Sequence, residues 1–209
     1  MKKISIIASM ITGALLLFLL PNQSQAQQGV TRLNLGYNIA SPLGSFRDDV
    51  NKTSFRGWTG SILYGITDNI SVGLGTGFQD FYQKYPRANY KLVEGGDISA
   101  VVSNSIQVVP ILATGQYNFL PNAVVQPYAG VGVGGNLIFY RQFLGEFSNS
   151  KTKFGFALRP EAGVFIPFGK HNLSGITVNA NYNYMPFNFN GVNQLSNWGG
   201  GIGVKFPLD

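Results

Sequence analysis

The sequence contains no cysteine and a single histidine, and only 11% of its 209 residues are charged. Without cysteine there is no disulfide framework, no thiol chemistry and no lipoprotein-type attachment. One histidine with no cysteine leaves a transition-metal site short of ligands. Ordinary globular domains carry about 25% charged residues, so the surface of this chain is not an ordinary water-facing one. After residue 26 no apolar run approaches the roughly 20 residues of a membrane-spanning helix. Disorder is excluded as well, because aromatics make up 13% of the chain and disordered segments have few. The net charge of +6 is too mild to imply a nucleic-acid partner, and no motif calls for a cofactor.

What is present begins with an export signal. Lys2 and Lys3 form a short positive region, and Ile4–Leu20 is largely apolar. Pro21 breaks it, and Ser24-Gln25-Ala26 offers small residues for cleavage. The apolar run is nearly long enough for an uncleaved anchor helix, but the breaker and the small-x-small site follow it in the order of a signal peptide. The expectation is a signal over 1–26 and one domain over 27–209.

The remainder alternates with period two. Ile176-Thr177-Val178-Asn179-Ala180-Asn181-Tyr182-Asn183-Tyr184 is apolar on one face and Asn/Thr-rich on the other. The pattern predicts eight strands: Val30–Ala40, Ser54–Ile66, Ile70–Tyr82, Asn104–Phe119, Val124–Phe139, Thr152–Phe168, Leu173–Met185 and Leu195–Phe206. Short connectors rich in turn residues (Thr67–Asn69, Leu120–Ala123, Gly169–Asn172) alternate with long polar ones (Ser41–Thr53, Gln83–Ser103, Tyr140–Lys151, Pro186–Gln194). The fold class expected is all-β, an eight-stranded antiparallel up-and-down transmembrane barrel with short periplasmic turns and long outer loops. Residues such as Leu35, Trp58, Leu74, Val133, Val178 and Ile202 face lipid. Arg32, Asn34, Asn38, Gln79, Gln116, Asn136, Arg159, Glu161, Asn179, Asn181 and Lys205 face a polar interior. Pro110, Pro127 and Pro160 fall inside strands, where a missing N–H breaks a ladder bond; a bulge is one way to absorb such a break, but no other feature of the sequence marks one there.

Several segments carry a resemblance. They are Ser24-Gln25-Ala26-Gln27, Tyr64–Gly75, Gln126–Gly134 and Arg159-Pro160-Glu161-Ala162-Gly163. With these the chain resembles the small eight-stranded outer-membrane β-barrel family, including outer membrane protein X and the membrane domain of outer membrane protein A. Within it, it is most similar to the Bacteroidetes-type outer membrane β-barrel proteins. The resemblance implies the outer membrane of a Gram-negative bacterium. It also implies contact with outer-membrane lipid and lipopolysaccharide, and with the barrel-assembly machinery during biogenesis. Such barrels usually end on an aromatic residue, whereas here Pro207-Leu208-Asp209 follow Phe206.

The motifs are mostly structural. Gly130-Val131-Gly132-Val133-Gly134-Gly135 matches the dinucleotide fingerprint, which needs a strand before it and a helix after it. Here a strand pattern continues through Phe139, and small inward residues give room to bulky neighbours such as Tyr128. His171 lies in a short turn, at the wrong end for the barrel enzymes that modify lipid A in the outer leaflet. Arg32, Arg159, Glu161 and Lys205 point inward, where charges must be paired or hydrated. They are expected to form a structural polar network, with Glu161 its acidic centre, because eight strands leave room only for side chains. Asp48, Asp49, Glu94 and Asp97 on the long loops form a weak candidate for divalent cations. Arg47, Arg56, Lys84, Lys91 and Arg141 lie near the outer rim, within reach of lipid phosphates. The expected role is non-enzymatic, structural or in surface interaction through four outer loops. A narrow pore is the alternative, and a lipid-modifying enzyme is third.

Overall fold

The computed structural model describes residues 28–91, 97–144, 147–169, 173–189 and 192–208. Among these no helix is long and apolar enough to cross a membrane. The crossing elements are strands: β1 (Thr31–Pro42), β2 (Gly57–Gly65), β3 (Ile70–Lys84), β4 (Val102–Asn118), β5 (Gln126–Leu144), β6 (Phe147–Pro167), β7 (Gly175–Asn183) and β8 (Asn197–Leu208). Each pairs antiparallel with its neighbour in sequence, and β1 pairs with β8 from Thr31↔Leu208 to Pro42↔Asn197, closing the barrel. Closure satisfies every edge, which is the condition for a sheet to sit in hydrocarbon.

The alternation places the faces as the sequence predicts. Leu74, Trp58, Val133, Val178, Trp198 and Ile202 are exposed on the outer wall, while Arg32, Asn38, Gln79, Gln116, Asn136, Thr177, Asn181 and Lys205 are buried inside. Tyr64, Tyr117, Phe119 and Phe168 stand exposed near the short turns, and Tyr37, Trp58 and Trp198 nearer the long loops. These are the two aromatic girdles of an outer-membrane barrel.

The structure adds to the sequence reading at three points. First, Tyr140–Lys151 is not a loop. β5 and β6 continue as a ladder through Tyr140↔Lys151 to Leu144↔Phe147. Polar residues there look loop-like only because a strand above the membrane has water on its outer side. Second, the prolines cause no bulge. The β3–β4 ladder lapses between Thr76↔Ile111 and Gln79↔Val108, around Pro110, and resumes in the same register. Pro160 produces the same lapse between β6 and β7, bridged by Leu158↔Tyr184. Pro127 is simply paired with Val164. Third, the interior is not polar throughout, because its outer half is an apolar plug.

That plug comes from loops the alternation did not reach. A short helix, α1 (Phe46–Asp49), inserts Phe46 and the following Val50 into the barrel mouth. Phe46 meets Phe81 of β3 edge-on at 4.8 Å between ring centroids. Beside it, a hairpin of Pro186–Phe189 and Val192–Gln194 brings Phe187 over Tyr140 of β5, stacked at 6.5 Å. Ile106, Val108, Leu112, Ile138, Met185 and Leu195 complete the cluster. A backbone bond from Leu43 N–H to Ser196 O (2.9 Å) ties the two loops together.

Candidate functional site

Two regions hold the chemistry, the lower lumen and the outer rim. Beneath the plug, from its base down towards the short turns, the lumen is lined by a chain of carboxamides. Asn38 Nδ2 donates to Gln79 Oε1 at 3.0 Å, and Gln79 Nε2 to Ser54 Oγ at 2.8 Å. Asn181 Nδ2 donates to Asn38 Oδ1 at 2.9 Å, Asn183 Nδ2 to Asn197 Oδ1 at 2.9 Å, and Thr177 Oγ1 to Asn34 Oδ1 at 3.1 Å. The bonds from β7 to β1 pass over β8, and its glycines make that possible. A Cβ at Gly203 would lie 2.9 Å from Thr177 Oγ1, and one at Gly199 2.9 Å from Asn181 Oδ1.

The four inward charges fall in this half. Arg159 and Glu161, two residues apart on β6, approach to 3.9 Å between Nε and Oε2. Lys205 crosses to the facing wall, where its Nζ meets Gln116 Oε1 at 3.4 Å. The same ammonium lies 5.2 Å from the ring centroids of Tyr128 and of Phe165. Arg32 is buried, diagonal to Lys205 across the β1–β8 ladder. Among the described residues, neither Arg32 nor Lys205 forms an ion pair with Glu161. Against Arg159 and Glu161 lies a cavity of about 40 Å³, which Asn34, Ser61, Thr114 and Asn179 also bound. That is room for a few waters at most, and the apolar plug closes it from above.

The glycine-rich segment Gly130–Gly135 is the middle of β5 and not a nucleotide loop. A Cβ at Gly132 would stand 2.9 Å from Leu112 Cδ1, and one at Gly130 3.3 Å from Glu161 Cγ. Inward glycine therefore makes room for the base of the plug and for the Glu161 side chain.

At the rim, Arg56 pairs with Asp80 at 3.3 Å, and Arg47, Lys84 and Arg141 are exposed. Burial, and then the neighbouring Asp48, raise the Asp49 carboxyl above its ordinary value. The backbone carbonyl of Asp49 accepts from Tyr85 Oη at 2.9 Å and from Asn104 Nδ2 at 3.2 Å, fixing the end of α1. Glu94, His171 and the side chains of Lys91 and Asp97 lie outside the described residues. Among the described residues, no three carboxylate, histidine or cysteine side chains gather in a way that would hold a metal ion.

A closed barrel of eight strands with a lipid-facing apolar wall agrees with the comparison to known families. The model of the outer membrane protein β-barrel domain matches residues 10–206. The chain belongs to that family. As a member of it, the protein resides in the outer membrane of a Gram-negative cell. Among solved structures, it is similar to Ail, the attachment invasion locus protein of Yersinia pestis (15% identity, 86% of this chain and 99% of that one, TM-score 0.50). It is equally similar to OprG of Pseudomonas aeruginosa (16%, 90% and 99%, TM-score 0.50). Neisserial surface protein A is a third (16%, 88% and 100%, TM-score 0.50). At these identities the likeness is one of fold. No curated protein sequence matches significantly.

The sequence placed the inward charges and the alternating wall but missed Phe46, Val50, Phe187 and Leu195. Their only signal is that large apolar residues stand in loops otherwise rich in Asn, Ser and Asp.

Proposed function

We propose that this outer-membrane barrel is non-enzymatic, with a structural or surface-interaction role carried by its outer loops and the sheet beneath them. The observation that carries this reading is the length of β5 and β6, 19 and 21 residues, where about 9–11 suffice to span. The surplus is paired strand held above the membrane, and a rigid frame presenting loops is a common binding arrangement. Outer-membrane lipid and lipopolysaccharide are the expected surroundings, with Arg47, Lys84 and Arg141 available to lipid phosphates. The barrel-assembly machinery is the expected partner during insertion. Arg32, Arg159, Glu161 and Lys205 serve to fill and brace the lumen.

The narrow-pore alternative has the polar lower lumen in its favour and the apolar plug against it. Purified protein in planar bilayers separates the two. A filled barrel gives no steady conductance, and Glu161→Gln lowers its urea midpoint. Steady wild-type conductance, with ion selectivity shifted by Glu161→Gln and stability unchanged, overturns the proposal in favour of a pore. If conductance is absent, trimming the β5–β6 tip should abolish cell-surface adhesion while leaving folding intact. Adhesion unchanged by trimming removes the surface role from this sheet.

A further inference from the structure

The charges of the lower lumen do not balance. Arg32, Arg159 and Lys205 point inward, and below the plug Glu161 is the one carboxylate among the described inward residues. Arg32 and Lys205 are 5% and 3% exposed, so bulk water does not neutralise them. The carboxylate is already engaged with Arg159. Arg32 Nη2 and Arg159 Nε find no hydrogen-bond acceptor among the described residues. The surrounding carboxamides are largely committed to one another, and a neutral amide cannot cancel a full charge in any case. A buried cation without a counter-charge is strongly disfavoured, and here three share a confined space with one acid.

We propose that the lower lumen binds a small monatomic anion, chloride in the cell, held by the surplus cations Arg32, Lys205 and Arg159. Arg32 and Lys205 rise from diagonal positions on the neighbouring strands β1 and β8, and both carry their charge into the same closed space. Guanidinium and ammonium groups supply N–H donors and charge together, and charge-assisted bonds are the strong ones. The ion is monatomic because the space beside Arg159, a cavity of about 40 Å³, has no room for a phosphate with its own hydration. An occupied site cancels one of the two surplus positive charges and ties β1 to β8, the strands that close the barrel.

The test is urea unfolding of the folded barrel in detergent micelles, in sodium chloride and in sodium gluconate at equal ionic strength. Gluconate screens charge but is too large for the lumen. Chloride is expected to raise the unfolding midpoint saturably, with gluconate giving only the smaller screening effect. Lys205→Gln and Arg32→Gln should each remove the chloride-specific part. Glu161→Gln, which enlarges the positive surplus, should shift chloride saturation to at least several-fold lower concentration even though the variant starts less stable. Broadening of the ³⁵Cl resonance by the wild-type protein, weakened in Lys205→Gln, reads binding directly if a variant folds poorly. Equal effects of the two salts together with no ³⁵Cl broadening overturn the proposal. So does a chloride response that survives Lys205→Gln, or one that weakens in Glu161→Gln.

Discussion

Strands β3, β4, β5 and β6 run 15, 17, 19 and 21 residues, whereas β7, β8, β1 and β2 run 9, 12, 12 and 9. One half of the barrel is thus little more than a membrane span, and the other continues outward as a sheet. The loops divide the same way. Those joining β1 to β2 and β7 to β8 belong to the short half, and they fold across the mouth to lay Phe46, Phe187 and Leu195 on the inner face of the tall half. The tall wall supplies Phe81, Ile106, Ile138 and Tyr140 to receive them. A tall strand whose inner face is apolar needs a cover, and a short strand leaves enough loop to supply one. The difference in height and the plug are therefore one device.

The sharpest way to break this comparison is to remove the receiving ring. Phe81→Ala is expected to cost about 3–5 kcal/mol, as large-to-small changes at fully buried aromatic sites do, read by urea unfolding. A cost below about 1 kcal/mol would mean that the plug does not bear on barrel stability. The next effect tests where the halves are alike. Val133 on the tall half and Val178 on the short half are both 44% exposed on the wall. Arginine at either should cost about 2–4 kcal/mol when the protein refolds into lipid vesicles. Unequal costs would place one of them outside the hydrocarbon.

Much of this division was open to sequence reading and part of it was not. All eight strands and their facing follow from period two, because a wall between lipid and a polar lumen imposes opposite chemistry on successive residues. Above the membrane that constraint lapses. Arg141, Gln142, Asn149 and Ser150 are paired strand, yet their outer side meets water and the alternation no longer marks them. Phe46 and Val50 were illegible for a different reason. They act through a fold-back of the chain, and two apolar residues in a polar loop define no period. In the lower lumen, the inward position of Arg32, Arg159, Glu161 and Lys205 was readable. That Lys205 reaches Gln116 and two aromatic rings was not, because it depends on which wall lies opposite.

Smaller effects sharpen the contrast within the lumen. Gly203→Ala puts a methyl beside Thr177 Oγ1 and the backbone of Leu35, and overpacking of this kind costs about 1–3 kcal/mol. Asn179→Ser should cost under about 1 kcal/mol, since a hydroxyl still hydrogen-bonds at that position. A reversal of this order in denaturant titration would make the carboxamide row more important than the glycines beneath it.

The smallest effect belongs to the α1 segment of the plug. The Asp49 carboxyl is raised in the folded loop, so that loop binds a proton more readily than the unfolded chain does. Docking of α1 is accordingly favoured below the unfolded carboxylate range and weakens as pH rises through the raised value. Asp49→Asn should abolish that dependence and slow hydrogen exchange of α1 amides at neutral pH. Exchange that slows as pH rises, after correction for intrinsic rates, would show the opposite sign.

The bonds running from β7 to β1 over the bare backbone of β8 carry a consequence for assembly. Strand eight emerges last, and it must slide between two strands that already bear their side chains. With glycine at 199, 201 and 203, the strand meets little friction on its inner side. Once it is seated, Thr177–Asn34 and Asn181–Asn38 draw together above it like a latch over a bolt. Glycine-rich strands are prone to slipping in register, and a shift by two residues would leave these latches without a matching pair. The final strand is therefore easy to insert and hard to misplace, with its register checked by side chains it does not itself carry.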